Sequence, residues 1–195
     1  MSSKLLGIGG RLTSGKDTVA DYLVEKHGWV KLNMSAPLHE AMLRLDPWIP
    51  IEFEEHHSSG IVRYSELTRR VGYTAAKENP EVRRLLQALG TDVGRKMFGE
   101  NVWVNYANNT ITPLREAGEN VVITGIRFPN EIDMIHNNVV WDTPGKLVWV
   151  ERPSLVLGDE AKHASESLTG EDFDITILND GSLDMLYAKT EMELA

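Results

Sequence analysis

The stretch Lys4–Thr18, KLLGIGGRLTSGKDT, joins a short apolar segment to a glycine-rich loop that ends in Gly-Lys. The apolar segment predicts a strand, and the pattern from Lys16 to Lys26 predicts a helix. Between them, Gly10–Lys16 has the GxxxxGK frame of a phosphate-binding loop. Such a loop turns backbone N–H groups toward a polyphosphate at a helix N-terminus, where the lysine neutralises the β and γ oxygens. The stretch therefore predicts a strand, loop and helix that bind a nucleotide.

Asp17 stands where this loop usually carries a Ser or Thr whose hydroxyl binds magnesium. Mg²⁺ accepts carboxylate oxygens and keeps several waters, so Asp17 can hold the ion, and Thr18 beside it offers a hydroxyl. Asp17 could instead position an acceptor phosphate, or only cap the positive end of the helix dipole. We expect Asp17 and Thr18 to hold the metal, and ATP to contact Gly10, Thr13, Ser14, Gly15, Lys16, Asp17 and Thr18.

Short apolar runs alternate with helical patterns along the rest of the chain, which is typical of βαβ units and a mainly parallel sheet. The predicted strands are Lys4–Ile8, Trp29–Asn33, Asn120–Ile126, Lys146–Glu151 and Ile175–Leu178. The predicted helices are Lys16–Lys26, Ala36–Arg44, Ser65–Lys77, Pro80–Phe98, Asn101–Glu116, Pro129–Asn137 and Leu183 to the end. Residues 46–60, with two prolines, fit neither pattern and predict a mobile insertion. We expect an α/β fold in one domain over residues 1–195.

The composition limits the partners and the compartment. The chain has 195 residues, 20 Lys and Arg, 29 Asp and Glu, and a formal net charge of −9. Nucleic-acid polymers and anionic membranes are bound largely through basic surfaces, so we expect neither as the main partner. The chain has no cysteine, which excludes disulfides, thiolate zinc sites and cysteine nucleophiles and fits the cytoplasm. It has neither a signal-peptide pattern nor the roughly 18 consecutive apolar residues of a membrane span.

Several arginines are candidates for binding phosphate groups. A kinase that joins two phosphorylated substrates needs cations between them, and arginine grips phosphate oxygens through two parallel hydrogen bonds. Arg127 follows a predicted strand, where ligands bind in open α/β sheets, and Glu131 lies four residues further on. The other candidates are Arg69, Arg70, Arg83, Arg84, Arg95 and Arg152. Helical spacing places Arg84, Thr91 and Arg95 on one face of a helix. That face could equally be solvated, with Glu81 and Asp92 as ion-pair partners.

Arg152 closes the predicted strand Lys146–Glu151, and residues 152–169 form a polar stretch without a long apolar run. This pattern predicts a lid that excludes water from phosphoryl transfer, although a plain surface loop is the alternative. His163 lies within the stretch and could contact phosphate. Trp103 could stack on a base, but an aromatic residue at helical spacing also suits a core.

Together these motifs resemble the bacteriophage deoxynucleoside monophosphate kinases, which move the γ-phosphoryl group of ATP onto deoxynucleoside 5′-monophosphates. The matches run in order over nearly the whole chain. They are GKDT at Gly15–Thr18, VRRLLQALGTD at Val82–Asp92, Trp103 and Val104, IRFPNE at Ile126–Glu131, VERP at Val150–Pro153, HASE at His163–Glu166 and NDGSL at Asn179–Leu183.

The resemblance implies a three-layer α/β/α sandwich with a mainly parallel five-stranded sheet and a closing lid. It implies that the catalytic residues are Lys16, Asp17, Arg127 and Arg152, and that Asn179 neighbours the adenine. The resemblance assigns Arg84 and Arg127 to the acceptor, and Arg152 and Glu166 to the lid and substrate pocket. Together with the candidates above, the expected substrate-binding residues are Arg69, Arg84, Arg95, Trp103, Arg127, Glu131, His163 and Glu166. One position departs from the family pattern, because relatives commonly carry Asp two residues before the arginine and this chain has Gly125. That departure shifts metal binding onto Asp17 or onto an acid elsewhere.

The expected function is therefore ATP- and Mg²⁺-dependent conversion of deoxynucleoside monophosphates, such as dGMP and dTMP, to diphosphates. We expect this reaction in the cytoplasm, the host cytoplasm if a phage encodes the chain, by a monomer or a homodimer. Three alternatives remain open. One is another small-molecule P-loop kinase of the dephospho-coenzyme A or phosphomevalonate type, and another is a regulatory NTPase that hydrolyses ATP without an acceptor. The third is a nucleotide-binding module without catalytic activity.

Overall fold

The computed structural model describes residues 3–53, 58–140, 142–155 and 168–194. The chain divides into two compact units. The first unit is Met1–Met34 with Val104–Ala195, and the second is Ser35–Trp103. The expectation of a single domain over residues 1–195 stays a prediction.

The described strands are β1 (Leu5–Gly9), β2 (Val30–Asn33), β3 (Trp48–Phe53), β4 (Ser58–Arg63), β5 (Val121–Ile126), β6 (Lys146–Glu151) and β7 (Ile175–Leu178). The described α-helices are α1 (Lys16–His27), α2 (Ala36–Leu45), α3 (Tyr64–Ala76), α4 (Pro80–Gln87), α5 (Val102–Glu116), α6 (Pro129–Asn137) and α7 (Leu183–Leu194). A π-helical stretch covers Ala88–Phe98, and a single 3₁₀ turn covers Gly170–Asp172.

The first unit contains a five-stranded sheet in the order β2-β5-β1-β6-β7. Every neighbouring pair of these strands is parallel, which confirms the predicted sheet. β2 lies toward one edge of the sheet from β1, whereas β6, which follows β5 in the chain, lies toward the opposite edge. The direction of the strand order therefore reverses next to β1. Ligands of open α/β sheets bind beyond the carboxyl ends of the strands at such a reversal. The fold therefore directs attention to the loop that follows β1.

Helices cover both faces of this sheet. On one face α1 and α7 contribute buried residues to a cluster with the strands, among them Val19, Leu23, Val122, Val148 and Leu186. On the other face α6 approaches β1 so closely that a Cβ added to Gly7 would lie 2.8 Å from Cγ1 of Ile135. The three-layer α/β/α arrangement is thus confirmed.

Arg115 of α5 is fully buried in the first unit. Its guanidinium donates hydrogen bonds to the backbone carbonyls of Ser3, Asn138 and Thr143, and to Oδ1 of Asn138. Burial lowers the pKa of Arg115, because it removes the charged form from water. The hydrogen bonds to the three carbonyls take the place of hydrogen bonds to water. Through them, Arg115 connects α5 to the segment before β1 and to the connection between α6 and β6.

The second unit contains an antiparallel hairpin where the sequence suggested an insertion without regular structure. β3 lies within residues 46–60 and forms a ladder with β4, which extends to Arg63; Trp48 pairs with Arg63 and Pro50 with Ile61. Ile49 and Val62 point into the core of this unit, while Trp48, Pro50 and Ile61 are exposed. Because the outward positions carry Trp, Pro and Ile, the polar and apolar alternation that normally reveals a strand is missing. The predicted mobility of the segment stays a prediction.

The predicted helix Pro80–Phe98 begins as expected but does not stay α-helical. Oδ1 of Asn79 accepts hydrogen bonds from the N–H groups of Glu81 and Val82 and caps the helix start. Beyond Gln87 the backbone widens into the π-helical stretch. The Trp103 indole lies against Gly94, where an added Cβ would be 2.5 Å from the ring, and donates a hydrogen bond to the carbonyl of Gly90. The wider turn therefore coincides with Gly90 and Gly94, which have low helix propensity and contact the indole.

The wider turn also changes how the polar residues of this segment are arranged. Arg84 lies in α4, whereas Thr91 and Arg95 lie in the π-helical stretch, so the spacing of 3.6 residues per turn does not hold throughout. The alignment of the three side chains on one face stays a prediction.

Candidate functional site

The loop after β1 has the backbone of a phosphate-binding loop. Gly10 and Gly15 have φ of 143° and 102°, and Thr13 has φ of 61°. Gly15 is the N-cap of α1 and provides no side chain to cap it. The first N–H groups of a helix lack partners within the helix, and the helix dipole favours negative charge beside them. The first turn of α1 is therefore suited to receive an anion.

The side chains of Lys16 and Ser14 offer polar groups at this loop. Nζ of Lys16 donates a hydrogen bond to the carbonyl of Arg11 at 3.2 Å. Oγ of Ser14 is buried and has no hydrogen-bond partner among the described residues. A buried hydroxyl without a partner costs free energy, and a hydrogen bond from it to a phosphate oxygen would remove that cost. Lys16 and Ser14 thus offer a cation and a hydroxyl at the predicted ATP site.

Asn179 supports the loop from the end of β7. Its Nδ2 donates to the carbonyl of Ser14 at 2.8 Å, and its backbone N–H donates to the carbonyl of Glu151 at 2.7 Å. A Cβ on Gly15 would lie 2.7 Å from Asn179 Nδ2, so only glycine leaves room for this contact. The family resemblance implied that Asn179 neighbours the adenine, and that contact stays a prediction. In the structure Asn179 supports the phosphate loop through these hydrogen bonds.

Asp17 contacts residues from two neighbouring strands. Oγ1 of Thr124 donates to Oδ1 of Asp17 at 3.0 Å, and Nζ of Lys31 lies 3.4 Å from the same oxygen. Nδ2 of Asn33 donates to Thr124 Oγ1 at 2.9 Å. Sequence reasoning missed Lys31, Asn33 and Thr124. The signal that could have found them was their position, because all three lie within predicted strands near the carboxyl ends and β2 pairs with β5.

Gly125, where the family pattern commonly has Asp, is the extra residue of a bulge in β5. Ile8 of β1 pairs with Thr124, but Gly9 pairs with Ile126, so Gly125 is left out of the ladder. Its φ of 87° lies in the left-handed region that favours glycine. A bulge re-aims the side chains around it and is common beside functional sites. The glycine is therefore explained by the backbone that the bulge requires.

Arg127 and Glu131 lie where β5 gives way to α6. One carboxylate oxygen of Glu131 accepts hydrogen bonds from the N–H groups of Arg127 at 2.7 Å and Phe128 at 3.2 Å. Glu131 is buried, whereas the Arg127 side chain is exposed. Glu131 thus fixes the start of α6 in the manner of a capping box. Its expected contact with substrate stays a prediction, as does that of Arg127.

Four of the predicted substrate-binding residues, Arg69, Arg84, Arg95 and Trp103, belong to the second unit. Arg84 forms two hydrogen bonds of 2.7 Å with Glu81, which lower the pKa of Glu81 and raise that of Arg84. The ion-pair alternative from the sequence therefore describes Arg84.

The other charged candidates of the second unit differ in their surroundings. Arg69 is exposed on α3. Asp92, which the sequence offered as a partner for Arg95, forms an ion pair of 2.8 Å with Lys96. The substrate contacts expected of Arg69, Arg84, Arg95 and Trp103 stay predictions.

The predicted lid begins at a small cavity beyond β6. The cavity has a volume of about 270 Å³ and is lined by Arg11, Trp149, Val150, Glu151, Arg152, Pro153, Leu155, Thr169 and Gly170. It brings the exposed Arg152 to the same hollow as Arg11 of the phosphate loop. His163 and Glu166 lie outside the described residues, so the lid and their roles stay predictions.

Within the described part of the chain, no group of three or more His, Cys, Asp or Glu side chains could hold a metal ion. A metal at Asp17 and Thr18 would therefore complete its shell with water and phosphate oxygens, as Mg²⁺ commonly does. The described helices include none that is long and apolar enough to cross a membrane.

Known proteins match this chain over most of its length. Residues 49–190 match the family model described as deoxynucleotide monophosphate kinase. The chain is 30% identical over 181 residues to the uncharacterized protein ORF77 of Ictalurid herpesvirus 1, and the match covers 91% of this chain but only 64% of that protein. It is 22% identical to the deoxynucleotide monophosphate kinase of Enterobacteria phage T4, with 98% of each chain covered. A dephospho-CoA kinase from Campylobacter jejuni superposes with a TM-score of 0.47 and 12% identity, covering 97% of this chain and 95% of that one.

Proposed function

Because the chain belongs to the deoxynucleotide monophosphate kinase family, we propose that it transfers the γ-phosphoryl group of ATP to a deoxynucleoside 5′-monophosphate. The observation that carries the proposal is the extent of the family match, residues 49–190. This range excludes the phosphate loop at Gly10–Thr18, so the match does not arise from a loop shared by many nucleotide-binding proteins. The family match and the loop geometry are therefore independent support for one activity.

ATP binds through its phosphates at the start of α1. The uncapped first turn of α1 and the buried Ser14 hydroxyl fit a polyphosphate in both charge and hydrogen-bonding capacity. Lys16 exchanges the Arg11 carbonyl for phosphate oxygens when the nucleotide arrives. Asn179 holds the loop in shape through the Ser14 carbonyl.

Asp17 and Thr18 are the residues that would hold a magnesium ion. A carboxylate and a hydroxyl are hard oxygen donors, which suit Mg²⁺. The ion would supply positive charge to the phosphate oxygens during transfer. Lys31 already contacts one oxygen of Asp17 and offers a second cation at this place.

The acceptor monophosphate is bound by arginines. Arg127 extends from the carboxyl end of β5, and Arg152 from the carboxyl end of β6 beside Arg11. Arg84 serves the acceptor once its ion pair with Glu81 opens, and the other substrate contacts are Arg69, Arg95, Trp103, Glu131, His163 and Glu166. Residues 152–169 close over the substrates during the reaction. The active protein is a monomer or a homodimer. The reaction takes place in the cytoplasm, which is the host cytoplasm if a phage encodes the chain.

The transfer step needs no general base. A phosphate oxygen of the acceptor dianion forms a bond to the γ-phosphorus, and the bond from that phosphorus to the bridging oxygen of ADP breaks. The products are a deoxynucleoside diphosphate and ADP, so atoms and charge balance. Lys16, Arg127 and Arg152 offset the charge on the equatorial oxygens as the transfer proceeds.

An acceptor panel tests the proposal. ADP formation from Mg-ATP is measured alone and with each deoxy- and ribonucleoside monophosphate, dephospho-coenzyme A and phosphomevalonate. We expect dGMP or dTMP to stimulate ADP formation, and Lys16→Met to abolish it. Lys26→Met, at the exposed end of the same helix, is the matched control and should leave the rate unchanged.

Two results would contradict the proposal. Equal ADP formation with and without any acceptor indicates an NTPase. Stimulation only by dephospho-coenzyme A or phosphomevalonate indicates a different small-molecule kinase.

A further inference from the structure

The hydroxyl of Thr124 is a buried polar group whose hydrogen bonds have a fixed direction. Thr124 is fully buried in β5. Nδ2 of Asn33 can only donate, so Thr124 Oγ1 accepts from it at 2.9 Å. The single hydroxyl proton is then directed to Oδ1 of Asp17 at 3.0 Å. The chain Asn33, Thr124, Asp17 therefore carries hydrogen bonds from the end of β2, through β5, to the first turn of α1.

The two carboxylate oxygens of Asp17 have different hydrogen-bonding surroundings. Oδ1 receives the Thr124 hydroxyl, and Nζ of Lys31 lies 3.4 Å from it. Oδ2 makes no hydrogen bond to any described residue. Lys31 is itself held at 2.8 Å by Oδ1 of Asp21. One oxygen of Asp17 is thus fixed by neighbours, while the other can take a ligand.

Packing alone does not account for the hydroxyl of Thr124. Side chains alternate along a strand, so Thr124 shares a face with Val122, which packs in the apolar cluster with Val19 and Leu23 of α1. An apolar residue would continue that cluster without the cost of burying a hydroxyl. The bulge at Gly125 begins at the next residue, so Thr124 is the last regular position of β5 before the site.

Resting on the proposed binding of metal and nucleotide by Asp17, we propose that Thr124 is a positioning residue for the Asp17 carboxylate. Its hydroxyl holds Oδ1 and leaves Oδ2 for the metal–nucleotide complex. Half of the Asp17 side chain is exposed, so this bond and the Lys31 contact are what restrict its rotamer. Partners that hold metal ligands in place commonly contribute 10- to 100-fold to metal affinity.

The test compares three single variants. Thr124→Val keeps the shape and removes the hydroxyl, and Thr124→Ser keeps the hydroxyl. Thr190→Val is the matched control, because Thr190 is also fully buried but, among the described residues, its hydroxyl donates only to the carbonyl of Leu186 within α7. The main readout is Mn²⁺ binding in the presence of ADP, followed by electron paramagnetic resonance without turnover. The Mg²⁺ concentration that gives half-maximal kinase activity is a second readout.

We expect Thr124→Val to weaken Mn²⁺ binding about 10- to 100-fold and to raise the Mg²⁺ requirement. Thr124→Ser should restore most of the affinity, and Thr190→Val should bind as the wild type does. Equal affinity in Thr124→Val and the wild type, or equal losses in Thr124→Val and Thr190→Val, would overturn the proposal. If Thr124→Val does not fold, Asn33→Ala replaces it, and a loss of Mn²⁺ affinity there is expected while no change refutes the positioning role.

Asp17→Asn separates this proposal from the proposed function. If Asp17→Asn leaves Mn²⁺ binding unchanged, Asp17 is not a ligand and the role of Thr124 is refuted. If the Thr124 effect is present but no monophosphate accepts phosphate, the kinase proposal fails and the positioning role stands.

Discussion

Gly125→Ala is the most informative single change in the first unit, because the cost of the added methyl group can be separated into parts. The Cβ would lie no closer than 3.8 Å to its nearest neighbours, Asn33 Oδ1 and Met34 Cβ, so it meets only ordinary contacts. The remaining cost is the backbone, since φ of 87° is a left-handed conformation. That conformation costs a non-glycine residue about 1–2 kcal/mol. We therefore expect a melting temperature about 2–8 °C lower, at about 2–4 °C per kcal/mol for a chain of this size.

Gly28→Ala provides the matched control. Gly28 ends α1 with φ of 68° and has no atom within 4 Å of an added Cβ, so its cost should also be about 1–2 kcal/mol. Only Gly125 is adjacent to Thr124, the partner of Asp17. Urea denaturation should give similar losses for both variants, while only Gly125→Ala should raise the Mg²⁺ concentration needed for half-maximal activity.

Two outcomes would refute this reasoning. Full stability in Gly125→Ala would show that the bulge does not need a positive φ. An unchanged Mg²⁺ requirement in Gly125→Ala would show that the bulge and the Asp17 site are independent.

Three further predictions concern groups outside the bulge. Arg115→Met should destabilise the chain by about 3–5 kcal/mol in urea denaturation, because it leaves buried carbonyls unsatisfied at about 1–3 kcal/mol each; a loss below about 1 kcal/mol would contradict this. Asn179→Ala should raise the KM for ATP, because the Ser14 carbonyl loses its donor, and an unchanged KM would remove Asn179 from the loop's support. Glu191 has a pKa lowered by hydrogen bonds from His27 and Tyr22, so its contribution to stability is complete above its unfolded pKa and is lost as pH falls through the folded pKa. The stability difference between wild type and Glu191→Gln should therefore shrink as pH falls below about 4.5, and a constant difference from about pH 7 to pH 3 would contradict the pairing.

The elements of the sheet could be read from the sequence because their signals are local. Each predicted strand of the first unit is found within a residue of its expected bounds, since buried parallel strands are short apolar runs. The phosphate loop was visible for the same reason, because its glycines and Lys16 are close together in the chain.

The missed features depend on residues that are distant in sequence. Thr124 and Asn33 meet because β2 and β5 are neighbours in the sheet, and 91 residues separate them in the chain. The hairpin was hidden because Trp48 and Ile61 occupy positions where polar residues would have revealed the alternation. The π-helical turn coincides with contacts from Trp103 that helix propensity does not describe. Local pattern therefore gives the elements, and tertiary pairing decides which of their side chains meet.

The most direct test of the kinase assignment follows the γ-phosphoryl group itself. The chain is incubated with Mg²⁺, ATP labelled at the γ-phosphorus and dGMP or dTMP, and the products are separated by chromatography. We expect the label to appear in the β-phosphate of the deoxynucleoside diphosphate and Lys16→Met to form none. Label found only in inorganic phosphate, whether or not a monophosphate is present, would contradict the kinase assignment.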